Sequence, residues 1–135
     1  MKNPFKPGDT KTYTVTVTKE DTPNFTALPK EQGGGQVHPV YSTYAIARDA
    51  EWCGRLFVLE MKEDDEEGIG IMASVEHVTP AHIGAEVVFT ATVQSVTGNQ
   101  IVTTFEARSG DKLIARGETT QKILKKEKVE RMMRP

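Results

Sequence analysis

Alternation of apolar and polar residues near the start of the chain predicts a first β-strand. Tyr13, Val15 and Val17 fall on one side of the chain, and threonines occupy the positions between and beside them. A period of two with β-branched residues is typical of a half-buried strand. The alternation is then lost over residues 20–39, a segment that contains the triplet Gly33-Gly34-Gly35. Because loops of this length are commonly lids or binding segments, we predict that this segment borders a binding site.

One later stretch has the period of a core helix. Its apolar residues recur at spacings of four, three and four, namely Ile46, Ala50, Cys53 and Phe57. Residues at these spacings share one helix face. Ser42 or Thr43 can cap the first turn, because a side-chain oxygen there accepts a hydrogen bond from an otherwise unpaired N–H. Gly68, which follows an acidic run, is the predicted stop.

Four further strands follow, with alternating positions at residues 69–77, 87–93, 101–107 and 113–117. The connections between them are short, which favours antiparallel pairing. One helix must then cover one face of the sheet. The predicted fold class is α+β, a hot-dog fold in which a five-stranded antiparallel sheet curls around one central helix. We expect a single domain over residues 1–135, with a short C-terminal helix at about 123–133.

Composition narrows the classes of partner. A net charge of -2 over 135 residues provides no field to attract nucleic acid or an anionic membrane. No stretch approaches the ~18 apolar residues of a membrane span. The lone cysteine, Cys53, cannot form an internal disulfide, which fits a reducing compartment. We therefore expect a cytoplasmic protein. Its three histidines lack metal-site spacing, so neither a metal nor a cofactor is expected.

Two residues stand out as candidates for chemistry. His77 lies on a predicted inward face of its strand, where a lone histidine is commonly structural. Glu51 lies in the helix, where pairing with Arg55 at i, i+4 would make it an ordinary surface glutamate. Together, a carboxylate and an imidazole can form an acid–base pair. One reaction open to such a pair is the hydrolysis of a thioester. It also needs a hydrogen-bond donor for the developing oxyanion, which the Thr43 hydroxyl or the Gly70 N–H could supply.

The stretches Thr43–Trp52 and Gly70–His77 resemble the helix and a strand of the fluoroacetyl-CoA thioesterase family. In the family's helix, as in this one, a threonine precedes a glutamate by eight positions and a tryptophan follows the glutamate. In the family's strand, as in this one, a glycine precedes a histidine by seven positions. The resemblance spans roughly residues 8–125. It implies that Thr43, Glu51 and His77 form the active site, with Gly70 beside them. The implied reaction hydrolyses an acyl-CoA to the free acid and CoA, with CoA as part of the substrate.

The loop before the helix departs from that family. There, phenylalanines gate the pocket, and the matching positions here are Gly34 and Val37. We place both at the substrate and expect a short or medium acyl group other than fluoroacetyl. One alternative is a non-hydrolytic acyl-CoA binding protein of the same fold. Hydratases of this fold typically use an aspartate–histidine pair a few residues apart. The sequence has no such pair.

Valines on both faces of the later strands predict a two-fold homodimer. Val88 and Val96 oppose Val87 and Val93 in the predicted alternation, so some of them would face water in a monomer. Joining two sheets edge to edge would cover a strand edge in each copy. In a regular helix Thr43 and Glu51 are ~12 Å apart along the axis. They can serve one carbonyl only if Thr43 precedes the helix or the site draws on two subunits.

Overall fold

A computed structural model of the chain describes residues 1–36 and 38–135. In chain order its elements are β1 (Thr10–Thr16), β2 (Asn24–Phe25), β3 (Gly35–Gln36), α1 (Thr43–Met61), β4 (Glu66–His77), β5 (Glu86–Thr97), β6 (Gln100–Ser109), β7 (Lys112–Lys125) and α2 (Lys126–Met133). Five strands form one antiparallel sheet in the order β1-β5-β6-β7-β4. Helix α1 contacts every strand of this sheet. The predicted α+β arrangement of one long helix and a five-stranded antiparallel sheet is confirmed.

Helix α1 buries the predicted stripe and ends earlier than predicted. All four stripe residues are at most 1% exposed, and they pack against apolar residues of β5 and β6. Ser42 is the N-cap, and its hydroxyl accepts a hydrogen bond from the Ala45 N–H at 3.1 Å. The helix stops at Met61, so the predicted stop at Gly68 is wrong. Gly68 belongs to β4, where a β-carbon would overlap Val58 of the helix.

A bulge in β4 changes which residues face the helix. The pairing with β7 shifts register between Gly70 and Met72. Before the shift, Gly70 faces α1, because a β-carbon there would meet the helix. Ile69 lies between Gly68 and Gly70, which both face the helix, and therefore points away from it. The predicted common face for residues 69–77 is thus wrong in its first part. After the shift, Val75 is half-buried against the core and His77 lies beside the start of α1. An extra residue in one strand re-aims the side chains that follow it.

The same effect in β5 removes part of the reason for predicting a dimer from the valines. The register of β5 against β6 shifts between Val93 and Ser95. Val96 consequently packs against the core and does not oppose Val93. Within the five-stranded sheet, large exposed apolar side chains occur on β4, an edge strand, where Ile71 is 48% and Met72 40% exposed.

Residues 19–42 contain more structure than the loop predicted from sequence. Single 3-10 turns occur at Lys19–Asp21 and Lys30–Gln32, and β2 pairs with β3. This segment leads directly into the start of α1 and so forms one border of the site described below.

The C-terminal helix begins at Lys126, because residues 123–125 still belong to β7. Its first N–H donates to Asp65 O at 2.8 Å, which ties α2 to the start of β4. Among the described residues, neither helix has the length and apolar character needed to cross a membrane.

Candidate active site

Thr43 and His77 lie together at one end of the sheet. Thr43 is the first residue of α1 and His77 is the last residue of β4. The Thr43 Oγ1 atom lies 3.1 Å from His77 Nδ1, within hydrogen-bond distance. Since Ser42 caps the helix, the Thr43 hydroxyl is not needed for capping and is available to the imidazole.

The other ring nitrogen of His77 is buried without a partner. Nε2 has no hydrogen-bond partner among the described residues, although it is shielded from solvent. Leaving a buried polar atom unpaired costs roughly 1–3 kcal/mol. Unpaired buried groups in native proteins are few and commonly mark functional positions. The His77 Nε2 atom is therefore an unsatisfied hydrogen-bonding atom next to the Thr43 hydroxyl.

Glu51 lies further along the helix, against Gly70. A β-carbon at Gly70 would overlap the Glu51 carboxylate, so only glycine allows this approach. Arg55 does not pair with Glu51: its guanidinium donates to Gly68 O and to Glu67 Oε1, each at 3.0 Å. The alternative interpretation of Glu51 as half of a surface ion pair with Arg55 is therefore wrong. Glu51 is exposed and its carboxylate lies directly over β4.

One chain forms two separate pairs and does not assemble the predicted trio. Thr43 contacts His77, and Glu51 contacts Gly70. Eight helical residues separate Thr43 from Glu51, which is ~12 Å along the axis. Seven residues of extended chain separate Gly70 from His77, which is ~20 Å. Because Thr43 is part of the helix, it cannot curl back toward Glu51. The route in which Thr43 precedes the helix is therefore ruled out.

Gly34, one of the two predicted substrate contacts, lies in a turn of the glycine-rich loop. A β-carbon at Gly34 would overlap the Leu28 backbone, and the Gly34 N–H donates to Pro29 O at 3.0 Å. Gly34 thus closes a turn of its own loop. Val37, the other predicted substrate contact, lies outside the described residues.

The loop is attached to the start of α1 by an aromatic pair that the sequence analysis missed. The rings of Phe25 and Tyr44 meet edge to face, with their centroids 6.2 Å apart. Tyr44 Oη accepts from the Asn24 N–H at 2.8 Å and donates to Thr22 O at 3.1 Å. Phe25 is the only phenylalanine, tyrosine or tryptophan in residues 20–39, which was the available signal. This pair places an apolar surface beside Thr43.

A charged cluster fixes the other side of the same helix turn. Arg48 donates to both carboxylate oxygens of Asp49 and to Asp21, at 2.8–2.9 Å. Tyr41 Oη donates to Asp49 Oδ2. Burial opposes ionisation of Asp21, yet the hydrogen bonds from Arg48 and Thr18 hold its pKa below the usual value. Asp21 and Arg48 therefore stay charged at neutral pH, and their ion pair ties the loop entry to α1.

Cys53 is a core thiol and is not placed for attack on a substrate. It is fully buried, and its Sγ lies 3.6 Å from Lys11 O. Burial raises the pKa of the Cys53 thiol to about 11. The thiolate, which is the reactive form, is therefore scarce at neutral pH.

Comparisons with known proteins agree with this fold. The family model described as fluoroacetyl-CoA-specific thioesterase matches residues 17–127. A thioesterase superfamily protein from Thermus thermophilus, TTHA0967, is 34% identical, with 96% of this chain and 90% of that chain covered and a TM-score of 0.86.

More distant structures share the fold. The fluoroacetyl-CoA thioesterase FlK is 21% identical, with 98% of this chain and 100% of that chain covered and a TM-score of 0.84. A hot-dog-like protein from Thermanaerovibrio acidaminovorans is 22% identical, with 95% of this chain and 90% of that chain covered and a TM-score of 0.80. No curated protein matches the chain significantly.

The family match spans Thr43, Glu51, Gly70 and His77 and gives no support to the non-hydrolytic alternative. The chain belongs to the fluoroacetyl-CoA-specific thioesterase family and is an acyl-CoA thioester hydrolase of the hot-dog fold.

Proposed function

We propose that the protein hydrolyses a short or medium acyl-CoA at a site built from Thr43, Glu51, Gly70 and His77. The observation that carries this proposal is the Thr43–His77 hydrogen bond, which leaves a buried, unpartnered Nε2 beside it. A structural histidine in a finished core would have both nitrogens satisfied. Variants of FlK have been crystallised with fluoroacetate and CoA and with acetyl-CoA, which supports the same class of substrate here.

Each group has a role in a balanced hydrolysis. In the tautomer with the proton on Nδ1, His77 donates to Thr43 Oγ1, so the hydroxyl proton is free to bind the thioester carbonyl oxygen. The Glu51 carboxylate takes a proton from the attacking water, and the new C–O bond places negative charge on that oxygen. The charged oxygen then re-forms the carbonyl as the C–S bond breaks, and the proton passes from Glu51 through His77 Nε2 to the sulfur, which leaves as the CoA thiol. Attack by the Glu51 carboxylate itself, through a glutamyl anhydride, would use the same groups.

The site is completed by a second copy of the chain. Strand β4 is a twelve-residue sheet edge whose residues 70–74 are all exposed. A long edge with apolar side chains favours pairing with another strand. In a two-fold antiparallel pair the start of one β4 lies beside the end of the other. Glu51, which rests on Gly70, would then lie near the partner's His77.

This arrangement makes a homodimer with two equivalent sites, because a two-fold interface uses the same surface on both subunits. The opposite edge, β1, is shorter and is flanked by the Lys11–Glu60 ion pair. A cytoplasmic location belongs to the same proposal, since acyl-CoA substrates and a lone reduced cysteine both fit that compartment.

The acyl group is proposed to differ from fluoroacetyl. Gly34 provides no side chain at the position of a gating phenylalanine, and the aromatic surface near Thr43 comes from Phe25 and Tyr44. Both are partly exposed, at 38% and 49%. An open apolar wall accommodates chains longer than two carbons and offers no specific contact to a fluorine atom.

Release of free CoA from a panel of acyl-CoA esters tests this function. We expect steady hydrolysis, with kcat/KM rising ~10-fold for every two methylenes added to the acetyl chain, since each buried methylene contributes ~0.8 kcal/mol and ~1.4 kcal/mol corresponds to a factor of ten. Fluoroacetyl-CoA should exceed acetyl-CoA by less than about threefold, because a site without a specific contact gives little discrimination. Binding without CoA release would contradict the reaction, and a large preference for the fluorinated substrate would contradict the assignment of the acyl group.

A further inference from the structure

Gln121 contacts the backbone of Glu51 from beneath the helix. Gln121 lies in β7, is 2% exposed and faces α1. Its side-chain Nε2 donates to Glu51 O at 2.9 Å. A helix carbonyl already accepts one intrahelical hydrogen bond, and its second lone pair allows this additional one. The sheet is therefore hydrogen-bonded to the helix at the residue that carries the catalytic carboxylate.

Two glycines let the helix approach this contact. Gly70 pairs with Gln121 across the sheet, and its lack of a β-carbon makes room for the Glu51 side chain. One turn later, a β-carbon at Gly54 would come within 2.8 Å of Thr119 Oγ1 and 3.2 Å of Gln121 Nε2. Glu51 is thus held on two sides, with its backbone on Gln121 and its carboxylate on Gly70.

A buried amide at this position is unfavourable unless it is hydrogen-bonded. An apolar side chain would suit packing at least as well, and the residue paired with Gln121 on β6 is indeed the buried Ile101. Packing alone therefore does not account for the amide. The hydrogen bond from the Gln121 amide is directional. It fixes the position of the Glu51 backbone along the axis of α1 and the rotation of the helix about that axis.

We infer that Gln121 is a positioning residue that sets the location of the Glu51 carboxylate for the hydrolysis. This inference rests on the proposed function, since it assigns the contact a role in that reaction. Catalytic groups must be held to within about half an ångström, and small displacements reduce the rate of the chemical step more than substrate binding. Gln121 touches no reacting atom in this account and acts only through Glu51.

Gln121→Met tests the inference, because methionine has nearly the same length and lacks the donor. We expect kcat to fall ~10-fold, with KM changed by less than about twofold. The matched control is Thr103→Val, which removes the 2.8 Å hydrogen bond between the hydroxyls of Thr103 and Thr119 in the same buried layer. Thr103→Val should lower the melting temperature to a similar extent and leave kcat within about twofold of the wild-type value.

The double variant Gln121→Met/Glu51→Gln shows whether the two residues act as a unit. If Gln121 works through Glu51, its substitution should change the residual rate of Glu51→Gln by less than about twofold. A full ~10-fold additional loss, or an equal loss of kcat in Thr103→Val, would overturn the inference. So would wild-type kcat in Gln121→Met. Full activity of Glu51→Gln alone would instead reject the proposed function, so the two failures are distinguishable.

Discussion

Replacing Glu51 with glutamine is expected to lower kcat by ~10² or more and to leave the fold intact. Glutamine keeps the shape of the side chain but can neither take a proton from water nor attack the carbonyl carbon. Glu51 is exposed and, within the described part of the chain, its carboxylate has no ion pair that the substitution would break. The melting temperature should therefore stay within a few degrees of the wild-type value.

Glu60→Gln is the matched control for this substitution. Glu60 is an exposed glutamate of the same helix, and it pairs with Lys11 on the far side of the sheet from β4. Its kcat should be unchanged within about twofold, because exposed ion pairs contribute little. Wild-type hydrolysis by Glu51→Gln in a steady-state assay of CoA release would show that Glu51 has no role in the chemistry.

Charge on the β4 edge is expected to abolish both the dimer and the activity. In Ile71→Lys/Met72→Lys, four added positive charges would meet across the two-fold axis, and lysine on a strand edge opposes pairing. Light scattering after size exclusion should give a mass near 14.9 kDa, that of one chain, where the wild type gives about twice that value. We expect activity to fall by at least ~10², because each site would lose its second subunit.

Leu59→Lys/Ile83→Lys carries the same added charge on apolar positions outside that edge. Leu59 and Ile83 are 42% and 49% exposed, which matches Met72 and Ile71 at 40% and 48%. This control should remain dimeric and active. A wild-type protein that runs as a monomer with full activity at assay concentration would reject the dimer and the shared site together.

The Thr43–His77 contact could be anticipated from sequence because each residue has a local signal. Ser42 or Thr43 was expected at the start of the helix from capping chemistry. His77 was placed on the inward face from its alternation with Val75. Both features depend on neighbours within a few residues, and both remain correct after the β4 bulge. Local patterns are therefore sufficient when the elements that meet are regular at the point of contact.

The features that sequence did not reveal depend on contacts between distant segments. The bulge after Gly70 puts Ile69 and His77 on opposite faces of the strand, and Gly70 is the residue that Glu51 approaches. Gln121 follows two threonines, and nothing in that polar stretch indicates burial. Its burial requires Gly54, more than sixty residues earlier, to let the helix settle on the sheet. Such close approaches are properties of the assembled layers and have no local period.

In the proposed dimer, each site takes Glu51 from one subunit and Thr43 and His77 from the other. Co-expression of Glu51→Gln and His77→Ala chains with different tags, followed by two affinity steps, isolates the mixed dimer. In a shared site, one of its two sites has both residues intact and the other has neither. The mixed dimer should therefore show about half of the wild-type kcat per dimer, although each parent dimer is nearly inactive. Activity no higher than that of the parent dimers would mean that each chain forms its own site, and it would contradict a site shared between the subunits.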